Sequence, residues 1–86
     1  MIPLIPPTIH MNGTSKEELV QQLMAAVDAA RLLSEALSKA APNARDYYPQ
    51  GEDAYKQARN AWTERQLAVD LLMNDLLEQA MRITLA

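Results

Sequence analysis

Cysteine and phenylalanine are absent from this 86-residue chain, which holds one histidine, one tryptophan and two glycines. Each shortage removes a class of function. Without cysteine there is no disulfide, no thiolate nucleophile and no thiolate metal site. His10 alone cannot supply the Glu-x-x-His pairs of a di-metal helical bundle. Nor is there a strained nucleophile turn with which it would form a Ser-His-Asp site. Asp70, Asp75 and Glu78 read as a solvated helix face. The composition therefore describes a protein that is not an enzyme and uses neither metal nor cofactor.

Long apolar runs are also missing. None approaches the roughly 20 residues that cross a bilayer. The segment Met1-Ile2-Pro3-Leu4-Ile5-Pro6-Pro7 lacks the basic start of a signal peptide, and its prolines would break an apolar helix there. An intracellular protein without membrane contact is expected. Basic residues are few, 8 against 11 acidic ones, and the isoelectric point is near 4.9. That balance argues against a duplex nucleic-acid partner. It leaves room for a small anion held by a few local cations.

What is present is leucine, alanine, methionine and valine at helical spacing, which predicts an all-α fold. Residues 1–13 form a proline-punctuated apolar arm, extended because Pro3, Pro6 and Pro7 fix φ and lack donors. Ile2, Leu4, Ile5 and Ile9 are expected to lie along a helix groove. A first helix is predicted over 14–41, capped by Thr14 or Ser15 with Glu17 or Glu18 completing a capping box. Its apolar seam is Leu19, Leu23, Ala26, Ala30, Leu33, Leu37 and Ala40, a heptad-type spacing rich in alanine. Ala41 precedes Pro42, which pushes it out of the α region and ends the helix.

A loop is predicted over 42–51 and a second helix over 52–84. The second seam reads Tyr55, Ala58, Trp62, Val69, Leu72, Leu76 and Ile83, interrupted at Arg65 and Gln79. Further apolar residues (Leu67, Leu71, Met73, Leu77, Ala80 and Met81) fall off that seam. A helix apolar around most of its circumference needs more than one partner. The expected architecture is thus a two-helix antiparallel hairpin with an extended N-terminal arm, assembling as a homo-oligomer into a helical bundle. Leu67, Leu71, Leu72, Leu76 and Leu77 are the expected interface.

The connector Ala41-Pro42-Asn43-Ala44-Arg45-Asp46-Tyr47-Tyr48-Pro49-Gln50-Gly51 is chemically rich for a turn. Tyr47 and Tyr48 offer flat faces and hydroxyls, and Arg45 a fork of donors suited to phosphate. Lys56 and Arg59 follow at i and i+3 on the next helix, whose N-terminal amides face the same end. Together these five residues form a candidate site for a small, anionic, nucleotide-like ligand. The competing reading makes the tyrosines a lid on the end of the bundle. Asn12 and Thr14, in Asn12-Gly13-Thr14-Ser15, belong to a turn and cap. They would join the site only from a neighbouring antiparallel subunit.

Ile9-His10-Met11-Asn12-Gly13-Thr14-Ser15 and the connector string together resemble a family of small helical-hairpin proteins of tailed phages and prophages. The resemblance spans residues 9 to about 84, and family members often carry glycine where this chain has Ala44. It implies a phage accessory role in the host bacterial cytoplasm and brings no activity with it. Two functions follow. One is an anti-defence sponge that sequesters a nucleotide-type immune signal between subunits. The other is a protein-protein interaction module that inhibits or scaffolds a host or phage protein.

Overall fold

A computed structural model describes residues 2–86, and Met1, part of the expected arm, lies outside them. Every regular element among the described residues is helical. They are α1 (Lys16–Lys39), a short α2 (Ala44–Tyr47), a 3-10 turn (Tyr48–Gln50) and α3 (Glu52–Leu85). Ser15 is the N-cap of α1: its Oγ accepts from the Glu18 amide at 3.2 Å. The first helix thus runs Lys16–Lys39 rather than 14–41, because both ends are closed by local bonds. At its end the Ala40 amide reaches back to the Ala36 and Leu37 carbonyls. The second helix extends one residue beyond the expected 84.

The connector is more structured than a loop. Asn43 caps α2 through its side chain, which accepts from the Arg45 amide at 3.2 Å. Among the described residues no residue other than glycine has positive φ, and Ala44 opens a right-handed turn.

α1 and α3 pack antiparallel, and four hydrogen bonds set their register. Trp62 Nε1 donates to the Leu37 carbonyl at 2.8 Å. Gln66 Nε2 donates to the Ser34 hydroxyl at 2.7 Å and to the Ser34 carbonyl at 3.1 Å. The Ser34 hydroxyl donates to Asp70 Oδ1 at 3.0 Å. At the far end Lys16 Nζ donates to the Ala86 carbonyl at 2.8 Å, a cation at a helix C-terminus. Asp70 is therefore half-buried in this ladder, not on a solvated face. Glu78 remains outside and pairs with Arg82 at 2.9 Å.

The ladder also corrects both seams. Ala26, Leu33 and Ala40 of α1 are exposed, and Val27 and Ser34 face α3 in their stead. On α3, Gln66, Met73 and Ala80 occupy the contact where the heptad spacing put Arg65, Leu72 and Gln79. Arg65 and Gln79 do not interrupt the observed seam. A strictly apolar reading preferred Leu33 to Ser34, but the contact line carries polar groups that satisfy one another.

Two grooves show which flanks share a face. Val20 and Met24 line one with Leu77, Met81 and Leu85; Ser38 lines the next with Thr63, Leu67 and Asp70. With successive residues turned by about 100°, Ala26, Leu33 and Leu72 lie on the opposite face. The arm runs on that side, where Ile2, Pro3 and Leu4 meet Leu72 and Leu76. Leu4 is half-buried, whereas Ile2 and Ile5 remain 77% and 76% exposed, so the arm does not bury the residues expected to anchor it. No helix is long and apolar enough to cross a membrane among the described residues.

Because Gln66 and Ser34 satisfy each other, removing both should cost less than the two single losses combined. A urea-denaturation cycle of Gln66→Ala, Ser34→Ala and the double variant checks this. We expect each single change to cost about 1–3 kcal/mol, with clear non-additivity; additive losses would mean the bonds do not act together.

Candidate functional site

α3 has 34 residues and α1 has 24, so about 15 Å of α3 extends beyond its partner. The connector folds back over this overhang. Pro42, half-buried, turns the chain off α1, and Asn43 starts the single turn of α2. Pro49 sits inside the 3-10 turn, where its fixed φ and missing donor are tolerated. Gly51 then redirects the chain into α3 with φ 109° and ψ 169°, a conformation essentially restricted to glycine.

These turns bring three tyrosines together. The Tyr47 and Tyr55 rings lie 6.4 Å apart between centroids, tilted by 51°. That spacing falls in the favourable range for an aromatic pair. The Arg59 guanidinium stands 5.7 Å from the Tyr55 ring centre, a cation–π contact one helical turn along α3. Ala44, Tyr47, Tyr48, Gly51, Glu52 and Tyr55 line one open concavity of about 510 Å³. Tyr48 is 86% exposed and presents its ring to solvent. The concavity can therefore offer flat faces, phenol hydroxyls and one nearby cation. The Glu52 carboxylate on its wall repels an anion placed directly against it.

Of the residues selected from the sequence, Tyr47 and Tyr48 line this concavity and Arg59 stands beside it through Tyr55. Arg45 and Lys56 are exposed and do not line it. The lid reading applies to Tyr47, which is half-buried on Tyr55, and not to Tyr48. Asn12 and Thr14 lie beyond the opposite end of α1, whose length is about 36 Å. There the His10 carbonyl accepts from the Gly13 amide at 3.1 Å, and the imidazole sits against Gly13. A Cβ at Gly13 would come within 2.8 Å of His10 Nε2, so the turn and the ring position go together.

Tyr55 and Glu52 were missed because Tyr55 fits the apolar seam and Glu52 reads as a first-turn acid. The spacing of Tyr55 and Arg59 at i and i+4 is the signal that would have found the pair. Among the described residues no group of three or more His, Cys, Asp or Glu side chains could hold a metal ion. The expected interface leucines do not share one face. Leu72 and Leu76 lie on the arm side, while Leu67 and Leu77 line the grooves opposite, and Leu71 is half-exposed beside them. The chain matches no protein-family model, no curated protein and no solved structure.

Proposed function

We propose that this chain is a non-catalytic binding protein that works as an oligomer of hairpins and captures a planar, anionic, nucleotide-type ligand at its tyrosine end. The observation that carries the reading is the gathering of Tyr47, Tyr48 and Tyr55 around one concavity with the Arg59 guanidinium on Tyr55. Aromatic faces hold a base by stacking, which is worth about 1–3 kcal/mol per base. Arg59, with Arg45 and Lys56 farther out, supplies positive charge for the phosphate end. The ligand's phosphates would point toward Arg59 and away from Glu52. A neighbouring subunit would have to contribute Asn12 and Thr14, since their own chain keeps them at the other end.

In the phage setting implied by the sequence resemblance, capture without turnover makes the protein a sponge for an immune signalling nucleotide in the host cytoplasm. A second reading has its own support. Tyr48 is exposed and Glu52 shares its concavity, a pairing of aromatic and acid that suits a protein epitope. On that reading the same end inhibits or scaffolds a host or phage protein.

Native mass spectrometry of the protein purified from its host cells separates the two. A ligand mass of a few hundred daltons per site is expected, and it should disappear in Tyr47→Ala and fall about tenfold in occupancy in Arg59→Ala. A bare protein with a co-purifying polypeptide would favour the second reading. Gly51→Ala should destabilise the chain by about 1–3 kcal/mol, because the side chain must enter a glycine-only conformation. Thermal melting of this variant reads the strain, and an unchanged melting temperature would count against the observed turn.

A further inference from the structure

Resting on the oligomeric reading above, we infer that a second copy of this chain docks on the face bearing Ala26, Leu33 and Leu72, closing a four-helix bundle. One observation calls for a partner, and two place it on this face.

The first is area. The chain exposes 6781 Å². A folded monomer of 9.6 kDa is expected to expose about 5,100 Å², so the excess is about 1,700 Å². Each partner in a standard stable interface contributes about 800 Å², less than this excess, part of which belongs to the extended arm. The radius of gyration agrees, at 18.3 Å against about 12 Å for a compact domain of this length.

The second is the direction of the sequence seams. In a four-helix bundle each helix aims its heptad stripe at the common axis, between two neighbours rather than straight at one. The stripe members left out of the α1–α3 contact are Ala26, Leu33 and Ala40 on one helix and Arg65, Leu72 and Gln79 on the other, so the stripe is apolar on α1 and holds a leucine between two polar residues on α3. All lie on the face opposite the grooves. A bundle axis above that face gives both stripes a single target.

The third is charge. From Leu19 to Ala40 the charged residues are Asp28, Arg31, Glu35 and Lys39, spaced so that they share one stripe. On α1 that stripe, with the Asp28–Arg31 ion pair at 3.1 Å, lies away from Ala26 and Leu33, while on α3 Arg65, Asp75 and Gln79 surround Leu72. Alanine at 26, 29 and 61 on or beside the docking face permits close helix approach. The apolar groove around Met81 is the rival, but it is confined to one end.

The test compares two positions of similar exposure on opposite faces, Leu33 at 50% and Met81 at 61%. Sedimentation equilibrium of the wild-type chain should give twice 9.6 kDa or a multiple of it. Leu33→Asp and Leu72→Asp should weaken self-association about a hundredfold or more, and Met81→Asp less than about threefold. The absence of cysteine allows a second readout that needs no dissociation. The thiol introduced by Leu33→Cys should react with maleimide about tenfold more slowly than that of Met81→Cys in the assembled protein. A wild-type monomer overturns the oligomeric reading itself. An oligomer that Met81→Asp dissociates and Leu33→Asp does not, or in which the Leu33→Cys thiol reacts as fast as that of Met81→Cys, overturns the docking face alone.

Discussion

The hydrogen bonds from Gln66 to Ser34, extended by Trp62 to Leu37 and by Ser34 to Asp70, set how α1 and α3 are rotated about their own axes. An apolar stripe tolerates rotation and sliding, because leucine packs almost equally well against leucine or alanine. Polar groups do not, since each misplacement leaves a donor or acceptor without its partner. Three α3 side chains at i, i+4 and i+8 therefore fix one phase. That phase turns Val27 and Ile83 into full burial and leaves Leu33 and Leu72 half outside.

The small core follows from this geometry. Two helices side by side can bury one stripe each, and among the described residues only Val27, Ala30, Ala80 and Ile83 reach burial. A chain of this size gains little from so few residues against its conformational entropy. The apolar residues needed for a larger core are present, and they lie on the hairpin's two broad faces. The arm touches one of these faces near Leu72 without covering it. A second hairpin laid on that face would convert a half-buried stripe into a bundle interior without moving any bond of the ladder.

The sequence made the helices legible, through periodicity, the Ser15 cap and the prolines flanking the connector. It misplaced the seam by one residue at Ala26, Leu33, Arg65, Leu72 and Gln79, because a hydrophobic reading cannot foresee that Ser34 and Gln66 complete each other across 32 positions. The same limitation hid the role of Asp70. The tyrosine end was half legible. Tyr47 and Tyr48 stand out by composition, whereas Tyr55 is hidden in a helical seam and reaches the concavity only after Gly51 has turned the chain. Asn43 could have been read as a cap, since it directly follows Pro42 and precedes a helix-compatible run.

The tyrosine concavity follows from the unequal lengths of the helices, whereas the proposed docking face follows from their rotation. Had α1 matched α3, the first turns of α3 would be covered by helix and the connector would be a plain turn. Because α1 stops at Lys39, Tyr55 is left to the connector, which covers it with one helical turn and Tyr47, while Arg59 stays exposed beside it. That cover is partial, so a concavity remains at the end of the hairpin, while a second copy would dock on a lateral face that the arm touches only near Leu72. A ligand at the end and a partner on the side then occupy different surfaces. Docking on the arm face leaves the tyrosine rings open, and an opposed neighbour could bring Asn12 and Thr14 to them only if the two hairpins ran antiparallel. The two proposals are thus linked: the orientation of the bundle decides whether the site is built by one chain or by two.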